Sequence, residues 1–278
     1  MRANPAPNRP DYAGEHRAAV AAAKAAGRLL RGRVGQGFAV RPKGERGDVV
    51  TDLDLLAEEL IVTRLRAQFP ADRIVAEESG LLEGAAGGRR TWLVDPLDGS
   101  NNVAIGLPVW SVGIALCVAD HPVVGVVHDP VVGRTWSAWH GGGAHGPDGP
   151  LAGPPARADA SGPLLAWTQG YAVDRDDDRA GALKHTLELR ARRLLQLWAP
   201  LSAWAMLARG DIDGFVGYRP ELVDLPAGLL LAREAGVTVR TFAGTELAPR
   251  FGSDADFSFV AGRVELVDEL LGLVAEPR

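Results

Sequence analysis

Trp92-Leu93-Val94-Asp95-Pro96-Leu97-Asp98-Gly99-Ser100 is the stretch on which the reading of this chain turns. The apolar run Trp92–Val94 predicts a short strand that delivers Asp95 at its end. Pro96 stiffens the following turn and Gly99 ends it. In that geometry Asp95, Asp98 and the Leu97 carbonyl can all face one pocket. Two carboxylates so close repel each other, and the convergence is costly unless cations share the site. Asp, Pro and Gly are also ordinary turn residues, so a plain surface turn is the competing reading.

The neighbouring sequence bears on that choice. Arg73-Ile74-Val75-Ala76 predicts another short strand, delivering Glu77-Glu78-Ser79. Upstream lies Asp48-Val49-Val50-Thr51-Asp52-Leu53-Asp54, so seven carboxylates fall within about fifty residues, at ends and turns of predicted elements. Hard divalent cations such as Mg²⁺ take oxygen ligands of this kind, and phosphate takes the metals plus backbone N–H groups. Gly99-Ser100-Asn101 can offer such N–H groups, with the Ser100 hydroxyl as a further donor; an N-cap or tight turn is the alternative. Together these features point to a metal-dependent enzyme acting on phosphate.

Composition excludes several other classes. The chain has 278 residues, 46% hydrophobic and 23% charged, an ordinary globular profile that allows one large domain or two that share a core. Its formal charge of −5 gives no basic footprint for a nucleic acid polymer. Cys117 is the only cysteine, which excludes an intrachain disulfide and a zinc thiolate site, and its apolar surroundings mark it as a small buried hydrophobe. Residues 1–10 lack the apolar segment of a signal peptide, and no stretch has the length of a membrane span, so no membrane partner and a cytoplasmic location are expected.

Along the chain, residues 1–10 read as a flexible tail, followed by an Ala-rich helix over Tyr12–Leu30. Gly32–Gly47 reads as a basic connection, and a second helix is expected from about Leu53 to Gln68, stopped by Pro70. Val109–Val118, Val123–His128 and Arg134–Trp139 predict an antiparallel meander. Gly141–Pro155 holds six Gly and four Pro in fifteen residues, and the domain boundary is placed there. The expected subdomains are 11–150, with most of the acids, and 151–278, where strands and helices alternate.

Four ordered motifs carry a resemblance: Asp48-x-x-Thr51-x-x-Asp54, Glu77-Glu78-Ser79, Trp92-x-x-Asp95-Pro96-Leu97-Asp98-Gly99-Ser100-x-Asn102, and Val223-Asp224-Leu225-Pro226-Ala227-Gly228. Over residues 12–275 the chain resembles the inositol monophosphatase family of Mg²⁺-dependent, lithium-sensitive phosphatases. The resemblance implies an α+β fold, a layered αβαβα sandwich of two subdomains like that of fructose-1,6-bisphosphatase. It implies hydrolysis of a small-molecule phosphomonoester by direct attack of a metal-activated water, with two to three Mg²⁺ ions, and a homodimer. By position, Glu77, Asp95 and the Leu97 carbonyl would hold one ion, and Asp95, Asp98 and Asp224 a second. A third would sit near Glu77 on the Asp48 side. Asp48 with Ser100 would orient and deprotonate the water, and Thr51 would support Asp48. Lys43 would stand near the phosphate, although a solvated loop lysine fits its position equally. Without the resemblance, Asp224 would read as a helix N-cap. Glu78 reads as a structural acid, and Asp54 as a helix cap or a loop partner.

The departures from the family concern the alcohol half of the substrate. Ser100 replaces the usual threonine and keeps the hydroxyl; Val103 and Val223 replace aromatic residues. Where inositol-hydrolysing members carry a Glu seven residues before the last ligand, this chain has Gly217. Leu195–Trp204 also differs from the family's Arg-x-x-Gly-Ser-Ala-Ala-like segment. The expected substrate is therefore a sugar, cyclitol or amino-alcohol phosphate other than plain inositol monophosphate. A 3′-phosphoadenosine 5′-phosphate-type nucleotide phosphatase and a non-catalytic regulatory member are the alternatives. Trp198 and Trp204 line the pocket or pack the core, and Arg219 and Glu221 read the substrate or lie in an exposed loop.

Overall fold

Residues 11–84, 89–156, 161–249 and 256–277 are described by the computed structural model; the expected tail, residues 1–10, lies outside them. In chain order the first elements are α1 (Ala13–Arg33), β1 (Val40–Lys43), β2 (Asp48–Thr51), α2 (Asp52–Gln68), β3 (Arg73–Ala76), β4 (Gly80–Leu82), β5 (Arg90–Asp98) and α3 (Ser100–Ala104). Next come β6 (Ser111–Val118), β7 (His121–Asp129), β8 (Arg134–Trp139), β9 (Gly143–Gly146) and β10 (Gly149–Pro150). The second half holds β11 (Leu164–Gln169), α4 (Asp178–Arg190), β12 (Arg193–Leu195), α5 (Pro200–Arg209) and β13 (Gly214–Tyr218). It closes with α6 (Pro226–Glu234), β14 (Thr238–Thr241), β15 (Phe259–Gly262) and α7 (Val264–Ala275).

Eight strands form one sheet in the order β10-β9-β8-β7-β6-β5-β3-β4, and five form a second in the order β12-β11-β13-β15-β14. In the first sheet β3 runs parallel to β5 and the other pairs are antiparallel. Parallel pairing puts the C-terminal ends of β3 and β5 side by side, so Glu77 and Asp95 emerge at the same edge of the sheet. The β5–β6 ladder is irregular between Asp95 and Asp98, where Pro96 cannot donate to it.

Side-chain alternation on β5 assigns the layers. Trp92 and Val94 pack against α1 and α2 with Ala23, Leu30, Ile61 and Leu65, while Leu93 faces the opposite core of Leu201, Trp204, Phe215, Leu229 and Phe259. There α5 and α6 lie between the two sheets, and α4 and α7 cover the outer face of the second sheet around Leu183, Val216 and Leu270. The layers read α1/α2, sheet, α5/α6, sheet, α4/α7, the expected αβαβα sandwich. The chain passes to the second sheet between Pro150 and Leu164, yet α5 and α6 pack back onto the first, so both halves share one core. The alanines of α1 allow a close approach: a Cβ on Gly27 would stand 2.4 Å from the His128 ring on β7.

Candidate active site

A cavity of about 340 Å³ opens where the two sheets meet, and Asp48, Glu77, Asp95, Leu97, Asp98, Gly99, Ser100 and Asp224 all line it. Each arrives for a local reason. The Glu77 N–H donates to the Val94 carbonyl at 3.1 Å, continuing the β3–β5 ladder one residue beyond the strand. Asp95 Oδ1 accepts from the Leu97 N–H at 3.1 Å, which folds the turn over the carboxylate. Asp98 is held through Oδ2 by Ser111 Oγ at 3.0 Å and by the Leu201 N–H at 2.9 Å, in the first turn of α5, where the helix dipole favours an anion. Asp224 stands just before α6, whose first helical residue is Pro226. Gly99 takes φ +98°, and a Cβ there would meet the Val109 carbonyl oxygen at 2.9 Å, so this turn requires glycine.

Burial raises the pKa of every acid in this group, and mutual repulsion adds to it. Glu77 is pushed up to about 7, first by burial, against the Lys43 charge that lowers it. Asp98 is also raised to about 7, first by burial. Asp95 is raised well above the usual carboxylate range by burial and then by the charges of Glu77, Asp98 and Asp224. Asp224 is raised likewise, by burial and then by Asp98 and Glu221. Among the described residues no three carboxylate, imidazole or thiol groups already close around one point. The acids instead stand on the walls of one cavity, and Lys43 Nζ donates to Glu77 Oε1 and Glu78 Oε1, both at 2.8 Å. Four carboxylates and a carbonyl make an all-oxygen donor set short of positive charge, which fits hard divalent cations.

One expected pairing is corrected. Thr51 and Ser100 bond to Asp54, not Asp48. Ser100 Oγ lies 2.5 Å from Asp54 Oδ1 and 2.9 Å from the Leu97 carbonyl oxygen. Thr51 Oγ1 and its N–H donate to Asp54 Oδ2 at 2.5 and 2.8 Å. The reason is a capping box: Thr51 is the N-cap of α2, and Asp54, at the third helical position, folds back over it toward the cavity. Asp48, at the start of β2, is half-buried in the cavity wall and accepts from the neighbouring Val49 N–H at 2.8 Å.

The substrate-side residues divide. Asn101 does not line the cavity; its side-chain amide donates to the Gly47 carbonyl at 3.2 Å and to Tyr171 Oη at 3.0 Å. Arg219 is exposed, with φ +47°, and lies outside the cavity, because its backbone N–H is tied to Ser258 Oγ at 2.9 Å. Its neighbour Glu221 does line the cavity. Trp198 lines it too, 59% exposed, whereas Trp204 is core, stacked on Phe259 at 4.7 Å between ring centroids. Gly217 is buried in β13, where a Cβ would stand 2.2 Å from the Phe259 ring.

Glu58 is a buried positioning residue that motif reasoning passed over. Its carboxylate accepts from the Glu78 and Ser79 N–H groups at 2.8 and 2.9 Å and from the Ser79 hydroxyl, fixing the loop that carries Glu77. A signal existed: Asp54 and Glu58 are four residues apart, on one face of α2.

The model of the inositol monophosphatase family matches residues 14–270. The chain belongs to the inositol monophosphatase family. It is 33% identical to the "Fructose-1,6-bisphosphatase/inositol-1-monophosphatase" of Thermotoga maritima over 90% of this chain and 91% of that protein. It is 35% identical to the "Nus factor SuhB" of Escherichia coli K12 over 81% and 84% of the two chains. The crystal structure of the extragenic suppressor protein suhB from Bartonella henselae superposes with a TM-score of 0.86 at 26% identity, covering 95% of this chain and 99% of that one. Membership supports phosphatase activity. No helix among the described residues is long and apolar enough to cross a membrane.

Proposed function

We propose that this protein is a Mg²⁺-dependent phosphatase that hydrolyses a small phosphorylated metabolite with water as the attacking group. The observation that carries this reading is the meeting of Glu77, Asp95, Asp98, Asp224 and Ser100 in one cavity, with Asp54 behind Ser100 and bonded to it. Glu77, Asp95 and the Leu97 carbonyl would hold one ion, and Asp95, Asp98 and Asp224 a second. When bound, such ions supply Lewis acidity and neutralise charge on the phosphoryl oxygens.

The chain's own groups do the rest. Ser100 gives its single proton to Asp54, so an Oγ lone pair is left to accept from, and thereby orient, a water facing the phosphorus. Asp54, raised in pKa by burial, is the basic end of that relay. As the water oxygen bonds to phosphorus its proton passes through Ser100 to Asp54, and the ester P–O bond breaks. The leaving alkoxide takes a proton from solvent water, balanced when Asp54 later releases its own. Gly99 and Ser100 line the phosphate side, and Trp198 walls the alcohol side. Phosphoryl transfer needs mainly position and charge, which explains a site without a Cys or His nucleophile.

Similarity to proteins named Nus factor SuhB favours a second reading, a metal- and phosphate-binding regulator that acts through partners. Retention of the whole acid set weighs toward catalysis. Phosphate release from a panel of phosphometabolites, with Mg²⁺ or with EDTA, separates the two. Mg²⁺-dependent turnover that D95N loses supports the phosphatase. Silence across the panel with Mg²⁺ binding intact supports the regulator.

A further inference from the structure

A second cavity, of about 330 Å³, lies between α1 and the β7–β8 turn. It opens on the other face of the first sheet from the active site. His128, in its wall, pairs with Val112, which packs with α1 and α2. Asp95 pairs with the next residue, Gly113, whose missing Cβ would point at Leu201 of α5. Lys24, Arg28 and Arg31 line the cavity from α1, and no carboxylate, amide or hydroxyl side chain lines it. This basic hollow stands in a chain whose formal charge is −5. Among the described residues the three cations make no hydrogen bond or ion pair.

The cations are exposed, yet simple solvation does not account for their placing. They sit at i, i+4 and i+7 on one face of α1, and like charges at that spacing repel and weaken a helix. Compensation of the helix dipole explains only the last turn, where Arg31 stands with Arg33; Lys24 and Arg28 lie further in. Asp129, at the end of β7, is turned to its own loop, where Oδ1 accepts from the Val131 and Val132 N–H groups at 2.8 and 3.1 Å. Arg31 reaches across to that turn, with Nη1 3.8 Å from the place a Cβ on Gly133 would take. The floor is rigid. His128 is 5% exposed and is held by β8, through Thr135 Oγ1 at 2.9 Å from Nδ1 and the Arg134 backbone. Its Nε2 edge faces Gly27, where there is no side chain, and that nitrogen has no hydrogen-bond partner among the described residues.

We infer that this cavity binds a small polyanion, a ligand with two or three linked phosphate groups, held by Lys24, Arg28 and Arg31 with His128 at the floor. The helical rise sets Lys24 and Arg31 about 10 Å apart along the axis, a row that suits linked phosphates better than a single one. Arg28 and Arg31 offer planar forks to phosphate oxygens, and Lys24 adds a mobile point charge. His128 Nε2 donates to the anion when it carries the ring's proton. Three cations around a closed hollow fit a compact ligand, whereas a nucleic acid is held along a longer basic track. None of the lining residues also lines the active site, so the assignment stands apart from the phosphatase reading.

Calorimetry on the full chain tests it, in metal-free buffer at low salt, where the active-site carboxylates repel anions. Tripolyphosphate and orthophosphate are the probes, against the wild type, K24Q/R28Q/R31Q and K184Q, the last removing a cation from the active-site cavity instead. One tripolyphosphate per chain is expected, bound about tenfold or more tighter than orthophosphate. The triple variant should lose about tenfold or more, and K184Q should stay within about twofold. Glutamine is as good a helix former as lysine or arginine, and an unchanged Tm confirms that the triple variant is folded. R28E alone repeats the test with a single exchange and should weaken binding in the same direction. The His128 Hε1 resonance, identified by its loss in H128Q, should shift along the same titration. Equal affinity for the two probes, no saturable binding, or binding indifferent to the three cations overturns the site. So does a silent His128 resonance, which would place the anion elsewhere. An RNA of about twelve nucleotides that binds tighter than tripolyphosphate through the same cations would overturn the small-ligand assignment.

Discussion

Ser100 Oγ stands 2.5 Å from Asp54 Oδ1, across forty-six residues of sequence, and this contact joins the start of α2 to the turn that carries Asp95 and Asp98. Asp54 is buried and fully engaged, its other oxygen taken by Thr51. In the proposed mechanism the pair serves structure and chemistry together. D54N should lower kcat by about 10²–10⁴, the range for loss of a general base, while circular dichroism stays unchanged because an asparagine keeps the cap. D48N should cost less than about tenfold. S100T should retain activity and S100A should lose it. If D48N proves the more damaging, the proton path runs through Asp48 and the assignment to Asp54 fails.

The acid cluster should tie folding to metal. Burial and repulsion among Glu77, Asp95, Asp98 and Asp224 strain the metal-free protein, so a divalent cation that binds only the folded state stabilises it. Mg²⁺ at about a hundredfold over its Kd is expected to add about 2.7 kcal/mol, which for a chain of this size raises Tm by several degrees. D95N should melt higher than the wild type in EDTA, because the neutral amide escapes the burial and repulsion that oppose an ionised Asp95, and should show little response to Mg²⁺. A Mg²⁺ response equal to that of the wild type would remove Asp95 from the ligand set.

How much of this was legible depended on whether the deciding contacts were local. Asp95, Leu97 and Asp98 share one turn, and the strand before them is apolar, so spacing alone brought them together. The helix over Ala13–Arg33 and the meander were likewise written in local pattern. The β1–β2 hairpin was hidden because Pro42 and two lysine- or arginine-bearing positions break its alternation within a basic, glycine-rich stretch. β9 and β10 lie inside the Gly- and Pro-rich run read as a boundary. Which acid bonds Ser100 turned on a capping box, in which the N3 acid, Asp54, folds back over Thr51 while Asp48 stays in the cavity wall. Arg175 and Lys184 follow no motif, and only the fold brings the loop before α4 and one side of α4 to the active-site cavity.

Gly217 bears on the substrate by what fills its place. With a Cβ only 2.2 Å from the Phe259 ring, the position has no room for the glutamate that inositol-hydrolysing relatives are expected to carry. G217E should cost at least about 3 kcal/mol, from overpacking and from a buried charge, and should gain no activity on inositol monophosphate. Pairing it with F259A opens the space, at the cost of a cavity beside Trp204 and Phe215. Activity on inositol monophosphate in the single variant, with Tm unchanged, would mean that the strand shifts to admit a side chain there.

His128 gives the fold an acid limit that the active site does not set. It is buried on β7 beneath α1, bonded through Nδ1 to Thr135 Oγ1 at 2.9 Å and pressed against Gly27. Burial pushes its pKa down from the usual 6.5 to about 4, with Lys24, Arg28 and Arg31 acting in the same direction. Between these values the unfolded chain binds a proton that the folded chain refuses. Stability is therefore complete above about pH 6.5 and falls as the pH drops toward 4, by at most about 3 kcal/mol from this residue. Urea unfolding of the wild type and H128Q across pH 4–7.5 reads the effect as a difference, in which the titration of the acids cancels. The gap between the two curves should narrow as the pH falls, because the glutamine has no proton to gain. A constant gap would mean that His128 is protonated in the folded protein as readily as in the unfolded chain.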